Sequence, residues 1–213
     1  MVRRTKAEAE ITRQQILDAA EQVFAEKGVL QTTMTDIGTA AGVSRGAVYW
    51  HFQSKLDVFN AMLMRQRDID RMLCAPARDS NEPDPLGQMR NFLIFFLQQM
   101  VSDPQRRRVK EILMLRCELA GEMAALSQQL QTTGSEIDRD IAATLTLAVQ
   151  RGQLPADLDV PCAAVCCHGY IHGLIANWLL RPDSYDLAAQ ASTLVDAMMD
   201  MLRNSPALRT SQT

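Results

Sequence analysis

The chain has 213 residues, a formal net charge of −3 at neutral pH and 47% hydrophobic residues. That apolar fraction excludes a disordered chain, and the length allows one small domain plus a larger one with a substantial core. The mild negative charge excludes nucleic-acid binding by bulk charge alone, so any such contact must rest on local placement of basic groups.

The N-terminus carries Arg3, Arg4 and Lys6, but no apolar core follows as a signal peptide requires. No uninterrupted apolar run reaches membrane-spanning length; the longest near the middle is Phe92 to Leu97. These features predict a cytoplasmic protein without membrane association. Five cysteines, an odd number without paired motif spacing, then read as reduced thiols.

The first helix is predicted over about residues 9–27, with Ile16, Ala20, Val23 and Phe24 on its core side. Residues 33–55 follow as two short helices joined by a tight turn. Thr33 caps the first of them, with Asp36 three residues on in a capping-box arrangement. Ile37, Ala40 and Ala41 form its apolar side. Gly42 supplies a left-handed turn. Ser44 is the natural N-cap of the second, whose buried stripe is Ala47, Val48 and Phe52.

That assignment turns Arg45, Gly46, Tyr49, Trp50 and His51 outward. A globular protein gains nothing for its core by exposing three ring side chains together, whereas a helix laid into the major groove of DNA uses them. Arg45 can donate two hydrogen bonds to a guanine edge. Gly46 lets backbone come close to DNA. Tyr49 and His51 can donate to phosphates, and Lys55, in the first turn of the next helix, can neutralise one. Basic and acidic residues balance over residues 1–60, so DNA binding must rest on local placement: Arg3, Arg4 and Lys6 in an arm, with Arg45 and Lys55 near the recognition helix.

A fourth helix is predicted over about 55–74, a loop over 76–85, and further helices over about 86–101, 106–117, 122–151, 160–180 and 187–203. Pro104, Pro155, Pro161, Pro182 and Pro206 fall at or near the breaks. No strand pattern or internal repeat appears, so the fold class is all-α with about nine helices. The division is a helix-turn-helix domain over 1–54 and a larger helical domain over 55–213.

The last two helices read as pairing elements. Cys162, Cys166, Gly169, Gly173 and Asn177 fall in one narrow stripe at about 100° per residue. Leu187, Ala191, Leu194, Val195, Met198 and Leu202 line one side of the final helix. Two such helices from each of two subunits make a four-helix bundle and hence a homodimer. A dimer places two recognition helices about 34 Å apart, one DNA turn, which matches a palindromic operator.

Cys162, Cys166, Cys167, His168 and His172 lie close together in sequence. The two outer pairs point about 120° apart on a helix at about 100° per residue, and no Cys-x-x-Cys pair supplies further ligands. No metal site and no cofactor is expected. No nucleophile–base pair or phosphate loop is visible either, so no catalytic residue is assigned.

The segment Ser44-Arg45-Gly46-Ala47-Val48-Tyr49-Trp50-His51-Phe52, followed by Lys55, resembles the recognition helix of TetR-family transcriptional regulators. The runs Thr12–Ala20 and Phe24–Val29 resemble that family's first helix. Arg116-Cys117-Glu118, Arg151-Gly152-Gln153-Leu154-Pro155, Gly173-Leu174-Ile175 and Ser205-Pro206-Ala207-Leu208-Arg209 narrow the likeness to the AcrR/TtgR branch of multidrug-efflux repressors.

The resemblance implies DNA contacts from Arg3, Arg4, Lys6, Thr33, Ser44, Arg45, Gly46, Tyr49, Trp50, His51 and Lys55. It implies an effector site between the central helices at Phe92, Phe96, Lys110, Met114, Ile137, Ile141, His168, Ile171, His172 and Ala176. Lys110, His168 and His172 depart from the branch's pattern and hint at phenolic or anionic effectors. The implied function is a repressor of an efflux operon, released by small hydrophobic or aromatic compounds. A regulator of a metabolic operon that responds to a metabolite is the alternative, and sequence does not separate the two.

Overall fold

A computed structural model describes residues 6–74, 79–117 and 124–210. Nine α-helices follow one another among them: α1 (Lys6–Lys27), α2 (Met34–Ala40), α3 (Arg45–His51), α4 (Lys55–Cys74), α5 (Pro85–Ser102), α6 (Pro104–Leu115), α7 (Ala124–Gln150), α8 (Val160–Leu180) and α9 (Leu187–Asn204). A short 3-10 turn, Pro206–Leu208, closes the described chain. The fold is all-α, as expected. The one strand-like pairing among the described residues is an isolated bridge between Leu158 and Arg209. The chain forms two compact units, Met1–Asp68 with Gln105–Gln129, and Ile69–Pro104 with Leu130–Thr213.

In the first unit, α1 buries Ile16, Ala20, Val23 and Phe24. Phe24 meets Phe59 of α4 edge-on, with ring centroids 5.8 Å apart, a favoured aromatic geometry. Gly28, at φ 78°, ends α1 in the left-handed region that L side chains avoid. Thr33 and Asp36 form the capping box of α2: the Thr33 Oγ1 accepts from the Asp36 N–H at 3.1 Å, and the Asp36 carboxylate accepts from the Thr33 N–H at 2.9 Å. Ala40 does not join Ile37 in the core but is exposed.

In the second unit α9 packs on α5 and on α8. Arg90 of α5 grips Asp196 of α9 with both carboxylate oxygens engaged, at 2.5 and 2.9 Å. Arg151 donates to the carbonyls of Ser80 and Glu82, and Gln153 bonds the Asp84 carboxylate and the Leu86 N–H. The segment after α7 therefore holds the start of α5. The chain's last described residues are held likewise: the Asp159 N–H donates to the Leu208 carbonyl and the Thr210 N–H to the Asp157 carbonyl.

Two sequence expectations need correction here. Of the α9 stripe assigned to subunit pairing, Leu187, Ala191, Val195, Met198 and Leu202 are completely buried within the single chain, and Leu194 is half-buried. The stripe faces the chain's own core, and α5 is its partner. A helical stripe records that a face is covered, not by which chain. Secondly, α8 is long and apolar enough to cross a membrane by length and composition, with mean hydropathy 1.2 over its most apolar window. Glycine, histidine and tyrosine interrupt its apolar runs, and it carries no Asp, Glu, Lys or Arg. Its inner face, Ala163, Ala164, Cys167, Ile171, Ile175, Trp178 and Leu179, is buried in the unit.

Candidate nucleic-acid interface and ligand residues

Three local devices fix α3. Gly42, at φ 66°, turns the chain out of α2. The Ser44 Oγ accepts from the Ala47 N–H at 3.1 Å, which satisfies one of the first-turn donors. Val48 and Phe52 are buried beneath it. Gly38 allows α2 to approach closely, because a Cβ there would lie 3.2 Å from both the Val43 carbonyl and the Val48 side chain. Arg13 of α1 adds a cation–π contact over the Phe52 ring at 5.3 Å.

The opposite face is open. Trp50 is 72% and Tyr49 43% exposed, and Arg45 and Gly46 are exposed beside them. The Arg45 guanidinium lies 5.3 Å from the Tyr49 ring centroid. His51 is half-buried and meets the Trp50 ring edge-on at 4.5 Å. A Cβ at Gly46 would meet only the Ser44 Oγ at 3.9 Å, so the chain's own packing does not require a glycine there.

Thr33 and Ser44 are exposed, and each spends its hydroxyl on a helix cap. Lys6 is the first residue of α1 and is exposed. Arg3 and Arg4 lie outside the described residues.

Lys55 departs from the expectation of an exposed cation. It is 7% exposed, and its Nζ donates to the Leu30 and Thr32 carbonyls at 2.9 Å each. Those carbonyls belong to the segment between α1 and α2, so the ammonium clamps that segment to the start of α4. Sequence placed Lys55 correctly in the first turn, but the direction of its side chain is set by tertiary structure. Just before it, Ser54 caps the start of α4, its Oγ accepting from the Asp57 N–H at 3.1 Å.

Two residues outside the sequence-based set support the interface. Lys27 donates to the Asp36 carboxylate at 2.7 Å. That bond, with those from Thr33, holds the Asp36 carboxyl well below its ordinary value of 3.8. Asp57 accepts from the Gln53 and Ser54 N–H groups. An acidic residue in the first turn after Ser54 is a sequence signal for Asp57, whereas Lys27 stands nine residues from Asp36 and no local pattern marks it.

The candidate effector residues divide between the two units. Lys110 and Met114 stand on α6 in the first unit, both half-buried. In the second unit Phe92 and Phe96 of α5 stack with centroids 5.8 Å apart. Ile137 and Ile141 lie on α7, the first exposed and the second half-buried. On α8, Ile171 is buried, Ala176 half-buried and His172 exposed. The His168 Nδ1 lies 2.7 Å from the Asp138 carboxylate of α7, and its ring meets that of His172 edge-on at 6.2 Å. Asp138 was missed because it is thirty residues away in sequence.

None of the ten lines the groove beside the end of α8, which is walled by Val101, Trp178, Pro182, Asp183, Tyr185, Asp186 and Leu187. Of the α8 small-residue stripe, Cys162, Gly169, Gly173 and Asn177 are exposed and Cys166 is half-buried. Burial and the neighbouring Cys166 push the Cys167 thiol up to about 12, which keeps it protonated and a poor nucleophile.

Two family models match. One, described as bacterial regulatory proteins of the tetR family, covers residues 16–62. The other, described as the C-terminal region of MAATS-type transcriptional repressors, covers residues 84–204. The chain belongs to the TetR family.

Among curated TetR-family relatives, the HTH-type transcriptional regulator TtgR of Pseudomonas putida is 45% identical over 209 residues, which is 98% of this chain and all of that protein. Of the solved structures, NalD, the secondary repressor of the MexAB-OprM multidrug efflux pump in Pseudomonas aeruginosa, is 33% identical with a TM-score of 0.80, covering 92% of this chain and 98% of its own. The SmeT–triclosan complex reaches a TM-score of 0.84 at 28% identity, covering 95% and 96%; SmeT is the repressor of the Stenotrophomonas maltophilia multidrug efflux pump SmeDEF. This chain is thus a relative of efflux-pump repressors, and the proteins it matches are transcriptional regulators, not enzymes.

Proposed function

We propose that this protein is a ligand-released, homodimeric repressor of a multidrug efflux operon in the cytoplasm. Residues 1–54 bind a palindromic operator. Residues 55–213 hold the effector and the dimer contact. The observation that carries the reading is the outward face of α3, where Arg45, Tyr49 and Trp50 stand exposed on a helix anchored by Val48 and Phe52. Arg45 reads a base edge, Gly46 lets the backbone approach, Tyr49, Trp50 and His51 pack along the sugar–phosphate wall, and Arg3, Arg4, Lys6, Thr33 and Ser44 complete the contacts. Lys55 contributes by fixing the segment before α2.

The dimer forms through the exposed α8 stripe, where Gly169 and Gly173 allow close helix approach and Val165, 61% exposed, supplies apolar area. Effectors are small hydrophobic or aromatic compounds that contact Phe92, Phe96, Lys110, Met114, Ile137, Ile141, His168, Ile171, His172 and Ala176. They bind the DNA-incompetent arrangement better and shift the population toward it. Triclosan, the compound in the SmeT complex, is the first probe: added to the protein bound to a labelled operator fragment, it lowers the anisotropy at constant protein concentration. A complex that withstands saturating triclosan and a panel of pump substrates would refute ligand release.

A further inference from the structure

The groove beside the end of α8 has no task in DNA reading or in the effector contacts proposed above, since none of those residues lines it. It lies wholly within the second unit and has a volume of about 390 Å³, inside the range of roughly 300–1,000 Å³ that small-molecule sites occupy. Its walls are held without a ligand. The Tyr185 hydroxyl donates to the Leu174 carbonyl at 3.0 Å, and the Ser184 N–H and hydroxyl both donate to the Arg181 carbonyl, at 3.0 and 2.7 Å. The turn between α8 and α9 is thereby fixed against α8, so a ligand meets a formed site. Trp178, on the buried face of α8, points about 140° from Gly173 at about 100° per residue. The groove therefore lies off the α8 face proposed for pairing.

Three observations define what the groove can hold. Asp183 and Asp186 are exposed along it. Asp186 accepts from the Ala189 N–H through one carboxylate oxygen at 2.9 Å, which leaves the other for a ligand. The basic side chain of that turn, Arg181, directs its guanidinium to the Asn177 Oδ1 at 2.8 Å instead. Secondly, Tyr185 is half-buried beside exposed Val101 and Pro182, an apolar wall with a ring that suits a cation. Thirdly, Trp178 is 4% exposed, and its indole N–H, a donor only, has no acceptor among the described residues. A buried donor without an acceptor costs free energy that a ligand oxygen recovers. We propose that this groove is a second small-molecule site, and that it takes aromatic ammonium compounds carrying an ether or carbonyl oxygen. The ammonium group lies by the two carboxylates, the aromatic body on Tyr185 and Val101, and the oxygen on the Trp178 N–H.

The test uses the full-length protein and two probes. Procaine is an aromatic ester with an ammonium group at neutral pH, and benzocaine is a similar aromatic ester without one. The readout is the indole N–H signal of Trp178 in nitrogen-15 NMR, assigned against Trp50→Phe because the chain has two tryptophans. Procaine is expected to shift that signal saturably, and benzocaine to bind at least about fivefold more weakly. Asp183→Asn with Asp186→Asn weakens procaine about tenfold and leaves benzocaine unchanged. The start of α9 stays capped in that variant, because asparagine caps as well as aspartate. Val101→Arg, at an exposed position, sets a cation across the groove and abolishes procaine binding at wild-type melting temperature. A Trp178 signal that stays still up to about 10 mM procaine, equal affinity for the two probes, or wild-type procaine affinity in the double asparagine variant overturns the proposal. Operator binding enters none of these readouts, so the second site stands or falls apart from the function proposed above.

Discussion

Lys55→Met separates two roles that a sequence assigns with equal ease. In the structure the ammonium is buried and makes two charge-assisted hydrogen bonds of 2.9 Å to the Leu30 and Thr32 carbonyls. Thr32 is itself buried, so its carbonyl loses its ammonium donor when Lys55 is replaced, whereas Leu30 is half-buried and water replaces part of what it loses. Methionine fills the volume and removes the cost of burying a charge. Hydrogen bonds to charged groups contribute about 1.5–3 kcal/mol each, and after these offsets the net loss is about 2–3 kcal/mol. For a chain of this size that lowers the melting temperature by roughly 4–12 °C. The assay is thermal unfolding by circular dichroism beside operator titrations at several salt concentrations. The slope of log affinity against log salt stays that of wild type. A variant that melts with wild type while its salt slope falls by about 0.9 would refute the clamp and show the ammonium on a phosphate.

Other perturbations read other links. Arg45→Ala is expected to leave the melting temperature unchanged and to cost about 1–3 kcal/mol of operator affinity, with relaxed preference at one base pair on a panel of single-substituted operators. Tyr49→Ala weakens all of those operators alike. Ser44→Ala removes the Oγ that accepts from the Ala47 N–H and costs about 1 kcal/mol in urea unfolding. Val165→Glu places a charge on the exposed apolar face of α8 and yields a helical monomer in sedimentation velocity; a stable dimer would move the interface elsewhere. Asp36 adds stability that is full above the ordinary carboxylate value of 3.8 and is lost as the pH falls through its lower folded value, because its bonds to Lys27 and Thr33 favour the charged form. Asp36→Asn therefore flattens that part of the acid limb of a melting-temperature profile, and an unchanged limb would mean the carboxylate gains nothing on folding.

The helices were legible because apolar period, capping residues and prolines agree along the chain, and their bounds fall within a few residues of those read from sequence. The Thr33–Asp36 box and the Gly42 turn were legible for the same reason, each being a local device complete within a few residues. Features that depend on distant partners were not. Lys55 looked like a free cation until the Leu30 and Thr32 carbonyls closed on it. Gln153 was noticed only as part of a family run, while its task, holding the start of α5 through Asp84 and Leu86, is set across 67 residues or more. The α9 stripe gave the right face and the wrong partner. The pairing of residues 157–159 with the tail after α9 is made mostly by backbone groups, which leave no side-chain pattern to read.

The central claim is that the outward face of α3 reads a specific DNA sequence, and anisotropy titration against a labelled fragment from upstream of the protein's own gene tests it most directly. The account predicts tight binding that weakens steeply with salt, at least about a thousandfold stronger than to a shuffled fragment of equal length and composition. Equal, weak binding to both fragments, with Arg45→Ala indistinguishable from wild type, would contradict it.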